Sequence, residues 1–159
     1  MSSGRRGAAS TNWGETMEAQ SIKAVRAGRG RTLVVTWKNG AESPVDVSEH
    51  LGRFEVFRPL RDDPDAFRAV EVGEWGWNAH WSDDMEISAD TLWRLALEQG
   101  AAWLLSWRKS RVPKLSQAEA AAMLGVSPRM WRYYEAGTHL LPKTVRLAAL
   151  GVDHEAEAA

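Results

Sequence analysis

The stretch that decides the C-terminal fold is LSQAEAAAMLGVSPRMWRYYEAG, residues 115–137. Ser116 and Glu119 have the S-x-x-E spacing of a capping box, which begins a helix. Gly125 follows at the position where a residue with positive φ ends a helix. Ser127 then caps a second helix. The pattern therefore predicts two short helices joined by a glycine turn, which we interpret as a helix-turn-helix.

The second predicted helix has an inner and an outer face. Pro128 occupies its first turn, where no amide donor is missed. Trp131 and Tyr134 are three residues apart and are expected in the core. The other face carries side chains that can contact a nucleic acid, namely Arg129, Arg132 and Tyr133. Because arginine can donate two hydrogen bonds to a guanine edge, we expect this helix to enter the major groove of DNA.

Apolar spacing predicts how the neighbouring helices pack. The first helix of the pair is expected to pack through small residues that allow a close helix crossing, namely Ala118, Ala121, Ala122 and Leu124. An upstream helix would contribute Trp103, Leu104 and Trp107. A further helix beginning at Pro142 would pack through Val145, Leu147, Ala148 and Leu150.

This segment resembles the helix-turn-helix of the Cro and phage-repressor family. The resemblance lies in a Gln-Ala-Glu start, a Leu-Gly-Val-Ser turn and a Tyr-Glu-x-Gly end, at 117–119, 124–127 and 134–137. It implies that Gln117 contacts a phosphate and that Pro128, Arg129 and Tyr133 face bases. Pro128 and Met130 replace polar residues common in these repressors. We therefore expect this helix to recognise fewer bases by direct side-chain contacts. The expected DNA-binding set is Gln117, Ser127, Pro128, Arg129, Arg132 and Tyr133.

Charge is divided unevenly along the chain. Residues 1–99 hold 12 basic and 16 acidic side chains, whereas residues 100–152 hold 8 basic and 2 acidic ones. A basic segment behind an acidic one fits a DNA-binding module beside a module that avoids DNA. The alternative for the helical pair, a hairpin used only for protein contact, stays open.

The N-terminal half has the pattern of short strands. Thr32 to Trp37 alternates and runs into Asn39-Gly40, a hairpin turn signal, and Glu42 to Val47 would return as an edge strand. Ala69 to Val72 and Trp77 to Trp81 also read as strands, the second with Trp77, Ala79 and Trp81 on one face. Ser88 is expected to cap a helix that Gly100 either ends or interrupts.

This half resembles the bacterial domain-of-unknown-function family 2442. The resemblance lies in residues 33–40, 45–47, 69–72, 81–84 and 88–97. It implies a small α+β sheet domain, in a family that occurs alone or fused to a helix-turn-helix, often encoded beside toxin-like proteins. The predicted fold class is therefore α+β, with a small N-terminal sheet domain and an all-α helix-turn-helix domain. The predicted parts are a flexible tail at 1–20, the sheet domain at 21–99, the DNA-binding domain at 100–152 and a tail at 153–159.

Other chemistry has little support in the sequence. Cysteine is absent, so disulfides and thiolate metal sites are excluded. Asp62, Asp63 and Asp65 lack the glycine and glutamate of a calcium loop, and His80 has no ligand spacing. No nucleophile–base pair or phosphate-binding loop is evident. We therefore expect no catalysis, no metal and no cofactor, and, because no apolar stretch could span a bilayer, a cytoplasmic protein.

The nine tryptophans are unusual for a chain of 159 residues. Trp37, Trp75, Trp77 and Trp81 could line an aromatic pocket for a small ligand or peptide. A tryptophan-rich core is the favoured interpretation, because a short domain has little other apolar area. Trp75, in a glycine-flanked turn, is the one expected to be exposed.

Together these patterns predict sequence-specific binding of double-stranded DNA by a bacterial transcriptional regulator, expected to act as a homodimer. The N-terminal domain would serve in dimerisation, partner binding or sensing. The alternative is an antitoxin-like protein that binds a toxin through its N-terminal domain and represses its own promoter through the helix-turn-helix.

Overall fold

The computed structural model describes residues 20–158 and has an α+β fold. The predicted tail lies outside this range, apart from Gln20. The strands are β1 (Ile22–Ala27), β2 (Thr32–Trp37), β3 (Glu42–Asp46), β4 (Glu71–Val72), β5 (Asn78–Ser82) and β6 (Met85–Ser88). The helices are α1 (Ser48–Arg53), α2 (Arg58–Asp62), α3 (Pro64–Arg68), α4 (Ala89–Lys109), α5 (Gln117–Leu124), α6 (Pro128–Ala136) and α7 (Lys143–Ala158), with 3-10 turns at Glu55–Phe57 and Glu74–Gly76.

The first sheet is the antiparallel meander β1–β2–β3, in which the sequence predicts the β2–β3 hairpin but not β1. Its hairpin closes through Gly40, whose φ of 92° requires a residue without a side chain. Leu33, Val35 and Trp37 alternate along β2 and are fully buried. Pro44 lies exposed on β3, where an edge strand tolerates a residue that cannot donate to the ladder.

The second sheet, β4–β5–β6, differs from the sequence expectation at one tryptophan. Ala79 is buried and Trp81 is half-buried, but Trp77 lies before β5 and is exposed. The reason is the 3-10 turn at Glu74–Gly76, which redirects the chain so that strand alternation begins only at Asn78. The strand expected from Ala69 is likewise shorter and begins at Glu71.

Helix α4 runs through both halves of the described chain. Ser88 caps it as predicted, its side chain accepting from the Thr91 amide. Gly100 neither ends nor interrupts the helix, which continues to Lys109. Gly100 is buried, and a Cβ placed there would lie 3.1 Å from Cβ of Leu141. The glycine therefore lets the segment before α7 pack closely against the helix.

Two hydrophobic cores lie along α4. The larger surrounds Trp37 and Trp93, and the smaller surrounds Trp107 and Trp131. Leu140 packs against the larger core, whereas its neighbour Leu141 is buried in the smaller one. Nζ of Lys143 lies 3.1 Å from Oε1 of Glu42. The segment before α7 and the start of α7 thus link the C-terminal helices to the first sheet.

Helix α7 packs through other residues than its apolar spacing predicts. Val145 is buried as expected, together with Ala149, but Leu147 and Leu150 are exposed. On α5, Ala120 and Ala121 are the buried residues, whereas Ala118 and Ala122 are exposed. Amphipathic spacing constrains these faces weakly, since α5 and the 147–152 stretch of α7 consist mostly of apolar or small residues. Asp153, which the sequence assigned to a tail, lies within α7.

Candidate nucleic-acid interface

Helices α5 and α6 are joined by a tight glycine turn. The capping box is present: the Glu119 amide donates to Oγ of Ser116 at 3.1 Å, and the Ser116 amide donates to Oε1 of Glu119 at 2.8 Å. Gly125 ends α5 in the left-handed conformation, with φ 72°. The Val126 amide then donates to the Ala121 carbonyl at 2.8 Å. The sequence therefore predicted the start and end of α5 correctly.

Helix α6 has the two faces that its sequence predicts. Ser127 caps it, its hydroxyl accepting from the Met130 amide at 3.1 Å. Trp131 is fully buried and Tyr134 is nearly so. Arg129 and Arg132 lie exposed on the outer face, as does Pro128. A buried aromatic anchor on one side and two arginines on the other fix which side of the helix meets solvent.

A buried carboxylate holds the three helices together. Glu135 accepts from Nε of Arg108 at 2.7 Å and from its Nη2 at 2.9 Å, a bidentate pair between α4 and α6. The two side chains are only 7% and 16% exposed, for Glu135 and Arg108 respectively. Glu135 also accepts from Nε1 of Trp131 and from Nε2 of Gln117 at 3.0 Å. It therefore sets the position of α6 relative to α4 and α5.

This arrangement lowers the pKa of Glu135. Burial alone would raise its pKa, because a carboxylate loses hydration in the interior. The hydrogen bonds from Arg108, Gln117 and Trp131, together with the charge of Arg108, outweigh burial and favour the ionised form. Glu135 is therefore a structural anion whose bonds depend on its charge.

The Gln117 side chain, expected to contact a phosphate, already makes a hydrogen bond within the protein. It is the first residue of α5, and one amide hydrogen is engaged with Glu135. A glutamine amide carries two hydrogens, so the second remains available to an oxygen acceptor outside the protein. The same side chain can therefore join Glu135 to an external acceptor.

Tyr133 is less free than the two arginines. It is half-buried, and its ring stacks on His139 with centroids 4.6 Å apart and planes within 12°. The Thr138 hydroxyl lies 3.0 Å from Nδ1 of His139 and 3.2 Å from the Tyr133 carbonyl, to which it donates. The stacking fixes the tyrosine ring beside the loop that follows α6.

Ion pairs occupy several of the basic side chains near the C-terminus. Arg108 pairs with Glu135, and Lys143 pairs with Glu42. Nη2 of Arg111 lies 2.6 Å from Oδ1 of Asp153, and its guanidinium stacks on Trp107. Within residues 20–158, no carboxylate lies within salt-bridge distance of four exposed basic side chains, those of Lys109, Lys114, Arg129 and Arg132. Free positive charge is thus located at the end of α4, before α5 and on α6.

Sequence reasoning missed the role of the Arg108–Glu135 pair. The available signal was Glu135 itself, a charged residue one position after the inward-facing Tyr134. A carboxylate so near a buried face needs a partner, because an unpaired buried charge is costly. Arg108 could not be identified from the sequence, since residues 100–152 hold four other arginines and three of them lie much nearer to Glu135 in sequence.

The N-terminal half offers an exposed aromatic turn and a charged cleft. Trp75 is 72% exposed and Trp77 67% exposed, whereas Trp37 is fully buried, so the four tryptophans do not line one pocket. The cleft between α1 and α4 contains His50, whose pKa is lowered by burial and by two neighbouring arginines. The cleft's arginines each pair with a glutamate on their own helix, as Arg53 with Glu49 and Arg94 with Glu98.

Among residues 20–158, no group of three or more His, Asp or Glu side chains is placed to hold a metal ion. Asp63, one of the acidic residues considered for calcium, instead caps α3 by accepting from the Asp65 amide at 2.9 Å. None of the described helices is long and apolar enough to cross a membrane.

The N-terminal half of the chain is similar to a known family. Residues 22–98 match the family described as "Protein of unknown function (DUF2442)". The resemblance seen in the sequence is thereby confirmed for β1 through the first part of α4, and the match ends before α5.

Two further comparisons concern the whole chain. No curated protein matches it. A solved structure described as "Putative DNA Binding Protein NE0471 from Nitrosomonas europaea ATCC 19718" is 31% identical, with 84% of this chain and 86% of that chain covered and a TM-score of 0.46.

Proposed function

We propose that the chain binds double-stranded DNA sequence-specifically, with α5 and α6 acting as a helix-turn-helix and α6 entering the major groove. The observation that carries the proposal is the outer face of α6. It exposes Arg129 and Arg132 while Trp131 fixes the opposite face in the core. Arginine near the start of such a helix can reach the donor and acceptor groups of a guanine.

The surrounding charges support the same surface. Lys109 and Lys114 lie just before α5, and cations there would neutralise phosphates on either side of the groove. The second amide hydrogen of Gln117 would donate to a phosphate oxygen while the first holds Glu135. Ser127 and Pro128, at the tip of α6, would lie nearest the bases.

The proposal therefore assigns separate roles to the candidate residues. Arg129 reads a base and Arg132 lies one turn later on the same helix, whereas Gln117 positions α5 on the backbone. Tyr133, stacked on His139, would contact the edge of the groove. A homodimer of such modules would bind two half-sites on one side of a duplex, which suits a transcriptional regulator rather than a catalyst.

The test is the binding preference of the full chain on a randomised duplex library, followed by footprinting upstream of its own gene. Arg129→Ala is expected to relax preference at one base pair, with a loss of roughly 1–3 kcal/mol on the preferred site. Gln117→Ala is expected to weaken preferred and random duplexes about equally. An unchanged preference in Arg129→Ala together with a changed one in Gln117→Ala would refute the assignment of α6 as the reading helix.

Arg68→Ala is the matched control, because it removes the same exposed charge from the N-terminal half. It is expected to leave both affinity and preference unchanged. The wild-type chain is expected to lose affinity steeply as salt rises, through counterion release. Absence of binding at low salt would contradict DNA binding altogether.

A second candidate function, an antitoxin-like subunit, is favoured by the exposed Trp75 and Trp77. Such a protein needs a dedicated protein-binding surface on its N-terminal half, and two exposed indoles suit one. Purification of the full chain from its native host separates the two functions. A stoichiometric protein partner that leaves when Trp75 is replaced would favour the antitoxin-like role.

A further inference from the structure

Two neighbouring tryptophans on the N-terminal half face solvent. Trp75 and Trp77 are both more than two-thirds exposed, although Trp81, two positions after Ala79, is half-buried with its Nε1 donating to the Phe67 carbonyl at 2.8 Å. Single exposed apolar residues are ordinary, but tryptophan is enriched where proteins bind partners. This pair therefore differs from the buried tryptophans of the same half.

The backbone that carries these indoles is held on several sides. The Gly76 amide donates to the Gly73 carbonyl at 3.0 Å, and the Trp77 carbonyl accepts from the Ala89 amide at 2.7 Å. Gly76 packs so closely that a Cβ there would lie 2.4 Å from the Ile22 carbonyl oxygen. Since the turn is fixed before any partner arrives, binding would cost little backbone ordering.

The chain segment that carries the pair is acidic. Residues 71–90 contain no lysine or arginine and six exposed carboxylates, on Glu71, Glu74, Asp83, Asp84, Glu86 and Asp90. The neighbouring β1 brings only Lys23 and Arg26 as exposed cations, so acidic side chains remain in excess. Three of these carboxylates lie beside the pair: Glu74 precedes Trp75, Oε2 of Glu86 accepts from Nδ2 of Asn78 at 3.0 Å next to Trp77, and Asp90 lines the same depression as Trp77. We call Trp75, Trp77 and these three carboxylates the acidic tryptophan surface.

We propose that the acidic tryptophan surface docks a basic segment of a partner protein, one that combines arginine or lysine with apolar side chains. A guanidinium or ammonium group is attracted to the face of an indole, and the surrounding carboxylates strengthen that attraction. The charge decides the occupant. DNA would be repelled, and a second copy in a symmetric contact would bring two acidic surfaces together. The assignment does not depend on the proposed DNA binding.

The test uses the full chain and a fluorescein-labelled ten-residue peptide of alternating arginine and leucine, with anisotropy as the readout. A peptide with glutamate in place of arginine is the matched probe. The wild-type chain is expected to bind the arginine peptide and not its glutamate counterpart. Trp75→Gly is expected to weaken binding at least about tenfold. This variant keeps the net charge and should melt no lower than wild type, because glycine suits the φ of 59° at this position.

Two variants that each neutralise one carboxylate complete the experiment. Glu74→Gln, within the surface, is expected to weaken the arginine peptide severalfold, whereas Asp62→Asn, an exposed carboxylate on α2, is expected to leave binding unchanged. Equal binding of the arginine peptide by wild type and Trp75→Gly would overturn the proposal. The acidic charge of the surface alone would then account for binding, without the indole. A wild-type dimer in sedimentation that Trp75→Gly dissociates would also overturn it, by making a second copy the occupant. Unchanged DNA binding by Trp75→Gly would separate this surface from the proposed helix-turn-helix.

Discussion

The two hydrophobic cores along α4 are stabilised by different means. Among the described residues the larger core contains 17 buried apolar residues, including Trp37 and Trp93 in edge-to-face contact at 4.9 Å. The smaller contains nine, so it has far less apolar area with which to hold its helices. The C-terminal helices compensate with helix caps and with the Arg108–Glu135 pair. We therefore expect them to depend on a few large or charged side chains.

The largest effect is expected from Trp131→Ala. This fully buried indole packs near Trp107 in the smaller core and donates to Glu135. Its removal should cost roughly 3–5 kcal/mol and unfold α5 and α6, while the larger core stays folded. Hydrogen exchange of the full chain would detect lost protection at residues 117–136 and retained protection along β2.

Trp107→Phe is a milder control within the same core, because it keeps most of the apolar volume. It should lower stability without unfolding the helices. A Trp131→Ala variant with native protection of α6 would show that the smaller core does not rely on this anchor, and the contrast between the two cores would fail.

The next effect is expected from Glu135→Gln. The neutral amide keeps one acceptor oxygen but loses the charge and the second acceptor that pair with Arg108, whose guanidinium would keep little access to water. Leaving such a charge without its partner should destabilise the C-terminal helices by about 2–4 kcal/mol. Urea denaturation would measure the loss, with Glu119→Gln as a control at an exposed capping position that should cost about 1 kcal/mol or less.

The same carboxylate predicts a pH dependence. The pKa of Glu135 lies below its ordinary value of 4.5 in the folded chain. Its contribution is therefore fully present above that value and is lost as pH falls through the folded pKa. We expect the stability difference between wild type and Glu135→Gln to shrink below about pH 4.5. A constant difference between pH 7 and pH 3 would contradict this.

Local signals predicted the local structure well. The capping box at Ser116, the left-handed Gly125 and the cap at Ser127 each depend on one or two residues in sequence, so they could be identified without the fold. The inward position of Trp131 and Tyr134 followed from their spacing on one helix. The Asn39-Gly40 hairpin was predicted for the same reason.

Features that depend on distant residues could not be predicted. The pairing of Glu135 with Arg108 joins residues 27 apart, and that of Lys143 with Glu42 joins residues 101 apart. The glycine at position 100 of α4 makes room for Leu141, which a sequence pattern does not place beside it. Trp77 was assigned to the wrong face because strand alternation was extended back into a turn.

A smaller effect is expected from Gly100→Leu, which tests how the two cores are linked. The added side chain would press on Leu141 and separate the end of the loop from α4. Overpacking of this kind should cost about 1–3 kcal/mol. Ala102→Leu, two residues along the same helix and exposed, is the control and should be nearly neutral. Equal stability of the two variants would show that the loop does not link the cores.

The smallest changes in the free energy of unfolding, and a pair of opposite sign, are expected at the turn that carries Trp75 and Trp77. Trp75 has φ 59°, which strains a bulky side chain, whereas its neighbour Trp77 has an ordinary φ of −81°. Trp75→Gly should therefore raise the free energy of unfolding by about 1 kcal/mol, since glycine adopts positive φ without strain. Trp77→Gly should lower it by about 0.5–1 kcal/mol, because there glycine only increases the freedom of the unfolded chain. Urea denaturation followed by far-ultraviolet circular dichroism compares the two variants without relying on the tryptophan signal they remove. If both lost stability equally, the left-handed conformation of Trp75 would not be a strain that the fold maintains.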